Sequence, residues 1–516
     1  VAQRMFGLET EYSLSALRSG GTRFFQGYTA HAFMETARKL LPHLPGRHSS
    51  GFFLQNGSRF YFDTGGHPEL ATPETVNPWD ACRYVLAGDR MLAAVADQLA
   101  RDQRAIGQVV VTRGNVCYSP GSATTSGCHE CYAHRADLME LPSELIPHLV
   151  SRVIYTGSGG FDNRSPGIEF MVSPRVAHLE QVVSDASTHA RGIYHSKNES
   201  LSCNGFHRLH VLCGESVCSH TTLWLKIAIT ALVVALVEAR LSPCRAIIPR
   251  SPLAAMRTFA ADVRCDAKVD LIDGRQMTAI EMQRHILARI EAHVDHPVMP
   301  PWSREACGRL RAILDRLDRG PGAVATTLDW AIKWSLYREF TRRRGVAWET
   351  LPDCNYVLSR LDRALRASNE NDCFQPLSAE LLHRRGPLAA EIHRLTPFMR
   401  ANGMDRDYLT EIIALRHELF ELDTRFTQLG DRGVFAALDR AGALDHALPG
   451  VDNIEHAVDH PPAAGRARLR GECIRRFHER PGEYSCDWTG VWDHRGGRYL
   501  DLSEPFVSEE RWQKTF

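Results

Sequence analysis

Residues Leu223–Leu241 read LWLKIAITALVVALVEARL, an almost continuous apolar run about as long as a bilayer is thick. Such a run either crosses a membrane or is covered on every side by protein. Lys226 and Glu238 lie inside it, and charges there are costly in lipid. The run is therefore expected to be a buried core helix, around which a large domain must be built.

The 516 residues are enough for that domain. Lys plus Arg (61) equals Asp plus Glu (61), so no overall field draws the chain to nucleic acid or a membrane surface. The 14 cysteines follow no framework of regular spacings and read as the reduced thiols of a cytosolic protein. Val1–Gly7 shows neither a basic nor an apolar leader segment. The expectation is a cytoplasmic protein.

Residues 5–17, MFGLETEYSLSAL, alternate as a strand does, which sends Glu9 and Glu11 to one face. Residues 30–41 read as an amphipathic helix. Asn56-Gly57 separates two apolar runs, a hairpin signal; on the second run Tyr61 and Asp63 share one face and Phe60 and Phe62 the other. Residues 80–103 carry helical periodicity and residues 107–112 read as a strand, as do 167–171 and 208–212. Residues 254–344 are mostly helical, 369–383 a polar loop and 388–419 helix again. HPPAAG at 460–465 marks a linker, so the chain divides into a large α+β domain, 1–425, and a small C-terminal domain, 426–516.

The chemistry-bearing residues are mainly carboxylates. Glu9 and Glu11 on one strand, with Asp63, Glu69 and Glu74 further on, offer the hard oxygen ligands that magnesium and a nucleotide triphosphate need. Asp63, at a strand end beside Gly65 and Gly66, is placed to act as base or nucleophile. A lone E-x-E is more often a solvated edge. Cys128-x-x-Cys131 lacks a second cysteine pair, which argues against structural zinc, and leaves His129 and Glu130 as the more informative residues of that segment. Arg208 and His210 suit phosphate oxygens. Arg466, Arg468 and Arg470 alternate, so a strand there aims all three to one side. G-x-x-x-x-G-K-[ST] does not occur, which excludes a P-loop by motif.

Together the runs GLETEY (7–12), NGSRFYFDTGGHPELATPE (56–74), GCHE (127–130), RLH (208–210) and RLRGE (468–472) closely resemble the Pup ligase and depupylase (deamidase) family, in the family's order. The resemblance implies an α+β fold, a curved, mainly antiparallel sheet packed by helices, as in glutamine synthetase and glutamate–cysteine ligase. It implies ATP and Mg2+ as cofactors, with Glu9 and Glu69 as metal ligands and Glu11, Tyr61 and His129 lining the same cradle. Asp63 matches the essential aspartate, Arg208 and His210 face phosphates, and Arg470 approaches the nucleotide. The implied partners are a Pup-like small protein modifier and lysine-bearing protein substrates, in a bacterial cytoplasm, with no nucleic acid or membrane.

The family's two branches run this site in opposite directions. The short segment between Tyr12 and Phe52, the four-residue spacing from Asp63 to His67 and Cys128 before His129 are ligase-like. Residues 151–159 and 470–477 look more like the depupylase. The isopeptide ligase, working through a γ-glutamyl phosphate, is the favoured reading, with hydrolysis of the same bond and a small-molecule carboxylate–amine ligase as alternatives. Where the family reads TRDEPHA, this chain reads SKNESLS (196–202), with Lys197 and Asn198 replacing Arg and Asp; Lys does not reproduce a bidentate Arg contact. Residues 384–418 have no clear counterpart and look like a helical insertion.

Overall fold

The computed structural model describes residues 4–48, 50–119, 122, 124–199, 201–368, 377–383 and 388–514. At its centre lies the helix His220–Glu238, whose residues from Thr222 to Val237 are all buried. It is the one helix among the described residues long and apolar enough to cross a membrane, and here protein covers it. Lys226 is not in conflict with that position. Its ammonium donates to the carbonyls of Cys128 (3.1 Å) and Glu215 (2.8 Å) and lies 3.7 Å from Glu130, so the buried charge is both hydrogen-bonded and paired.

One face of a seven-stranded sheet packs on this helix. Its strands are β1 (Phe6–Glu11), β3 (His43–Pro45), β4 (Phe52–Leu54), β5 (Arg59–Phe62), β6 (Pro68–Ala71), β8 (Cys128–His134) and β9 (His207–Val211). Two further strands, β2 (Ser13–Arg18) and β7 (Ile106–Thr112), pair separately. The order is β9-β8-β1-β6-β5-β4-β3, and every neighbouring pair is antiparallel. The fold is α+β. The alternating stretch 5–17 is split at Tyr12, fully buried with its hydroxyl donated to Asp89 (2.8 Å), so the chain leaves one sheet and enters another.

Asn56-Gly57 makes the expected hairpin turn, with Gly57 at φ +85°. The helix expected over 80–103 runs Pro78–Asp102, capped by the Asn77 side chain on the Asp80 N–H. Residues 167–171 form only the short strand Phe170–Met171. In the segment read as a polar loop, Ala379–His383 is helical and 369–376 lie outside the described residues. The helices Ala389–Ala401 and Arg406–Phe426 pack with Leu351–Ser368 into a second core around Ile392, Leu409 and Ile412.

A strand over 466–472 does not form. Arg466–Phe477 is a helix, because Leu469, Cys473, Ile474 and Phe477 recur at helical spacing and seat it on a core that includes Leu44 and Phe53. One turn apart on that helix, Arg466 and Arg470 both reach Glu74, and Arg468 turns away to Glu472 (2.9 Å). Four short strands from Tyr484 to Lys514 complete this C-terminal unit.

Candidate functional site

Register builds the site. Glu9 lies opposite Ala71 and His129, Thr10 opposite Cys128, and Glu11 opposite Glu69; Tyr61 lies opposite Glu69 and His210 opposite Cys131. Side chains on opposed residues share a face, so Glu9, Glu11, Tyr61, Glu69, His129, Cys131, Arg208 and His210 all stand on the open face. Leu8, Thr10, Leu70, Cys128, Leu209 and Val211 take the other face and enter the core.

Two ligand groups result. Glu9, His129 and His210 form one, and Glu11, Asp63 and Glu69 form the other, each with ligand atoms within 4.8 Å of one another. In the first, Glu9 lies 3.5 Å from His129 Nδ1 and 3.3 Å from His210 Nε2, and accepts from Arg208 Nη2 at 2.6 Å. Burial opposes ionisation of Glu9, but Arg208 and His210 outweigh it and hold the carboxyl well below the usual range. His210 is driven the other way by burial, to about 4, and stays neutral near pH 7. A neutral imidazole is the form that ligates a metal.

In the second group His67 lies 3.1 Å from Asp63 and His129 3.6 Å from Glu11. Burial, together with the charges of Glu9 and Glu11, pushes Glu69 well above the ordinary carboxylate range, against a hydrogen bond from Tyr61. Three crowded carboxylates of this kind fit a hard divalent cation, which supplies positive charge. Asp63 differs from its neighbours in the group. It closes the turn to His67, accepting from the His67 N–H at 2.6 Å and lying 3.1 Å from its Nδ1, with Gly66 at φ +80°. Burial works against its ionisation, but these bonds prevail and keep it below its usual pKa.

A cavity opens on each side of this stripe. One, about 120 Å3, is lined by Glu9, Ala71, Glu74, Arg208, Arg466 and Trp488, between the sheet and the C-terminal unit. The other, about 810 Å3, is lined by Gly65, Gly66, His67, Tyr118 and Asp423.

Arg470, singled out by sequence, does not reach the stripe. It is fully buried, paired with Glu74, donating to the Gly57 carbonyl (3.1 Å) and stacked 4.8 Å from Trp488. Glu74, grouped by sequence with Asp63 and Glu69, belongs to that pair. Arg466 lines the cavity instead. Arg208 and His210 are on the open face but are engaged with Glu9. Lys197 points to solvent and pairs with Glu199 (2.5 Å), and Asn198 takes up the Arg208 N–H (3.1 Å). Sequence reasoning passed over His195, whose ring centre lies 5.6 Å from that of His210, and Arg175 and Arg191; their distance along the chain from the acidic motifs hid them.

A family model described as Pup-ligase protein matches residues 4–365 and 406–492. The chain belongs to the Pup-ligase family. Similar curated members include the Pup–protein ligase of Acidimicrobium ferrooxidans, 29% identical over 99% of this chain and 97% of its own length. That of Brachybacterium faecium is 30% identical over 98% of this chain and 94% of its own. Two solved structures share the fold. The complex of prokaryotic ubiquitin-like protein Pup with its ligase PafA superposes with a TM-score of 0.72, at 22% identity, over 98% of this chain and 90% of that one. PafA with ADP gives 0.68, at 21% identity, over 95% and 93%. The Pup-ligase match leaves residues 366–405 unmatched, a segment that includes the helix Ala389–Ala401.

Proposed function

We infer that the protein is an ATP-dependent ligase that joins the side-chain carboxyl of a C-terminal glutamate on a Pup-like modifier to lysines of protein substrates. The observation that carries this is the stripe itself: two ligand groups on adjacent strands, with a cavity at either end and His67, the partner of Asp63, lining the larger one. The relatives named as Pup–protein ligases, matched over nearly their whole length, favour ligation over hydrolysis of the same bond.

The first cavity suits a nucleotide. Trp488 offers a ring for a base and Arg208 and Arg466 offer charge for phosphates, with Glu9, His129 and His210 beside them. Magnesium, if held by the two groups, would supply neutralisation of the phosphate charge. A carboxylate does not acylate an amine, because its anion is a poor electrophile. The modifier's γ-carboxylate oxygen attacks the terminal phosphorus, ADP leaves, and an acyl phosphate forms. The lysine amine then attacks the acyl carbon as inorganic phosphate departs, and Asp63 takes the proton the amine sheds. His67, bonded to both oxygens of that carboxylate, fixes its orientation and itself lines the second cavity.

The test is ADP release by the purified protein with Mg-ATP and a Pup-like modifier, with and without a lysine-bearing acceptor. ADP formed in step with a mass-shifted conjugate supports the ligase. Cleavage of a preformed conjugate without matching ADP overturns it in favour of hydrolysis. Asp63→Asn is expected to lower turnover by about a hundredfold or more, as loss of a general base does, while nucleotide affinity holds. Normal turnover in that variant removes the proposed role.

A further inference from the structure

Arg175 is fixed in an unusual position. It is 3% exposed, yet its Nε and Nη1 have no hydrogen-bond partner among the described residues; only Nη2 is used, on the Leu212 carbonyl at 3.1 Å. A buried guanidinium left this way is costly unless an anion completes it. Its direction is set by Gly127. The Glu11 N–H donates to the Gly127 carbonyl (3.0 Å), and the Gly127 N–H donates to Glu11 Oε2 (2.6 Å). Gly127 thus lies opposite Glu11 and shares its open face. A Cβ on Gly127 would lie 2.7 Å from Arg175 Cζ. The guanidinium therefore occupies the place of the missing side chain, at the end of the stripe beside Glu11.

Arg191 joins it there. It is half-buried and bonded to the Thr125 hydroxyl. Burial and the like charge of Arg175 lower its pKa, with Glu11 opposing. Glu11 cannot satisfy both arginines, since it serves the Gly127 N–H and the Glu11–Asp63–Glu69 group. Arg208 marks a second cationic pole at Cys131. Cys131 lies four positions along the chain from Gly127, about 13 Å in extended backbone. The phosphates belong at the Arg208 pole beside the nucleotide cavity, which leaves the Arg175 pole for a different anion.

We propose that Arg175 and Arg191 seat the α-carboxylate of the modifier's C-terminal glutamate, so that its γ-carboxyl lies between the two ligand groups. This rests on the ligase reading above. The seat makes the enzyme read a free chain terminus: an internal glutamate has no α-carboxylate to offer, and a planar pair of guanidinium forks matches a carboxylate.

The experiment uses a Pup-like modifier ending in glutamate, made with either a free α-carboxylate or an α-carboxamide, and follows ADP release and conjugate formation. The wild-type protein is expected to lose roughly ten- to a hundredfold in kcat/KM with the carboxamide, the size of a charge-assisted bond. Arg191→Gln, and separately Arg175→Lys, are expected to raise KM for the free acid, leave KM for ATP unchanged, and discriminate little between the two modifiers. Full discrimination retained by the half-buried Arg191→Gln variant, or a rise in KM for ATP in its place, overturns the seat. A wild-type protein equally active with both modifiers also overturns it, and leaves the ligase reading intact. Silence of the wild type with both would sink the ligase reading first.

Discussion

Glu74→Gln is the substitution with the most direct consequence for how the C-terminal unit holds the cavity beside Glu9. Glu74 bonds Arg466 Nε at 2.6 Å and pairs with Arg470 on the same helix face. Its side chain is 13% exposed, and those of Arg466 and Arg470 are 8% and 0%. Burial alone would raise its pKa, but the two guanidinium groups bring it from 4.5 to about 2, which corresponds to roughly 3 kcal/mol in favour of the charged form. Removing one partner of a buried pair costs about 3–5 kcal/mol by general experience, so the two figures agree. Because the folded pKa is depressed, this stabilisation is fully present above pH 4.5 and is lost as the pH falls through about 2. Hydrogen exchange reads it locally. In Glu74→Gln, amides of Arg466–Phe477 and of the strands that follow are expected to exchange roughly a hundredfold faster at neutral pH. Between pH 5 and 3 the wild type should lose protection there while the variant stays flat. A change below about fivefold, the size an exposed pair gives, or an unaltered acid dependence in the variant, refutes the buried clamp.

Other outcomes are expected from the buried pair behind the sheet and from the cation site. Arg152 holds Glu130 by two bonds, 2.7 and 2.9 Å, behind the sheet, so Arg152→Met should lower stability by about 3–5 kcal/mol in chemical denaturation, and adding Glu130→Gln should restore part of it. Chelation of divalent cations should stop ADP formation, and Glu69→Gln should raise the cation concentration needed for half-maximal rate, measured by magnesium titration; an unchanged titration removes Glu69 as a ligand.

Much of the site was legible because its signals are local. Period-two alternation put Glu9 with Glu11 and Tyr61 with Asp63 on one face before any neighbour was known, and Asn56-Gly57 announced its turn. The apolar run at 223–241 demanded cover on all sides. Arg466–Arg470 misled, since alternating arginines suggest a strand, and only the apolar residues between them, packing on Leu44 and Phe53, decided for a helix. Motif resemblance had named Glu9 and Glu69 as metal ligands, and each stands in a ligand group, Glu9 with His129 and His210 and Glu69 with Glu11 and Asp63.

The sequence by itself determined which side chains alternate, where the chain turns and which helix must be buried. Those follow from the dihedral period and solvent preference of contiguous residues. The tertiary structure alone decided that β8 lies beside β1 and β9 beside β8, that Glu74 meets Arg470 across 396 residues, and that Arg175 fills the space at Gly127. Strand order and long-range pairing depend on how whole faces pack and on which chain segments meet, and no short window of sequence contains that information.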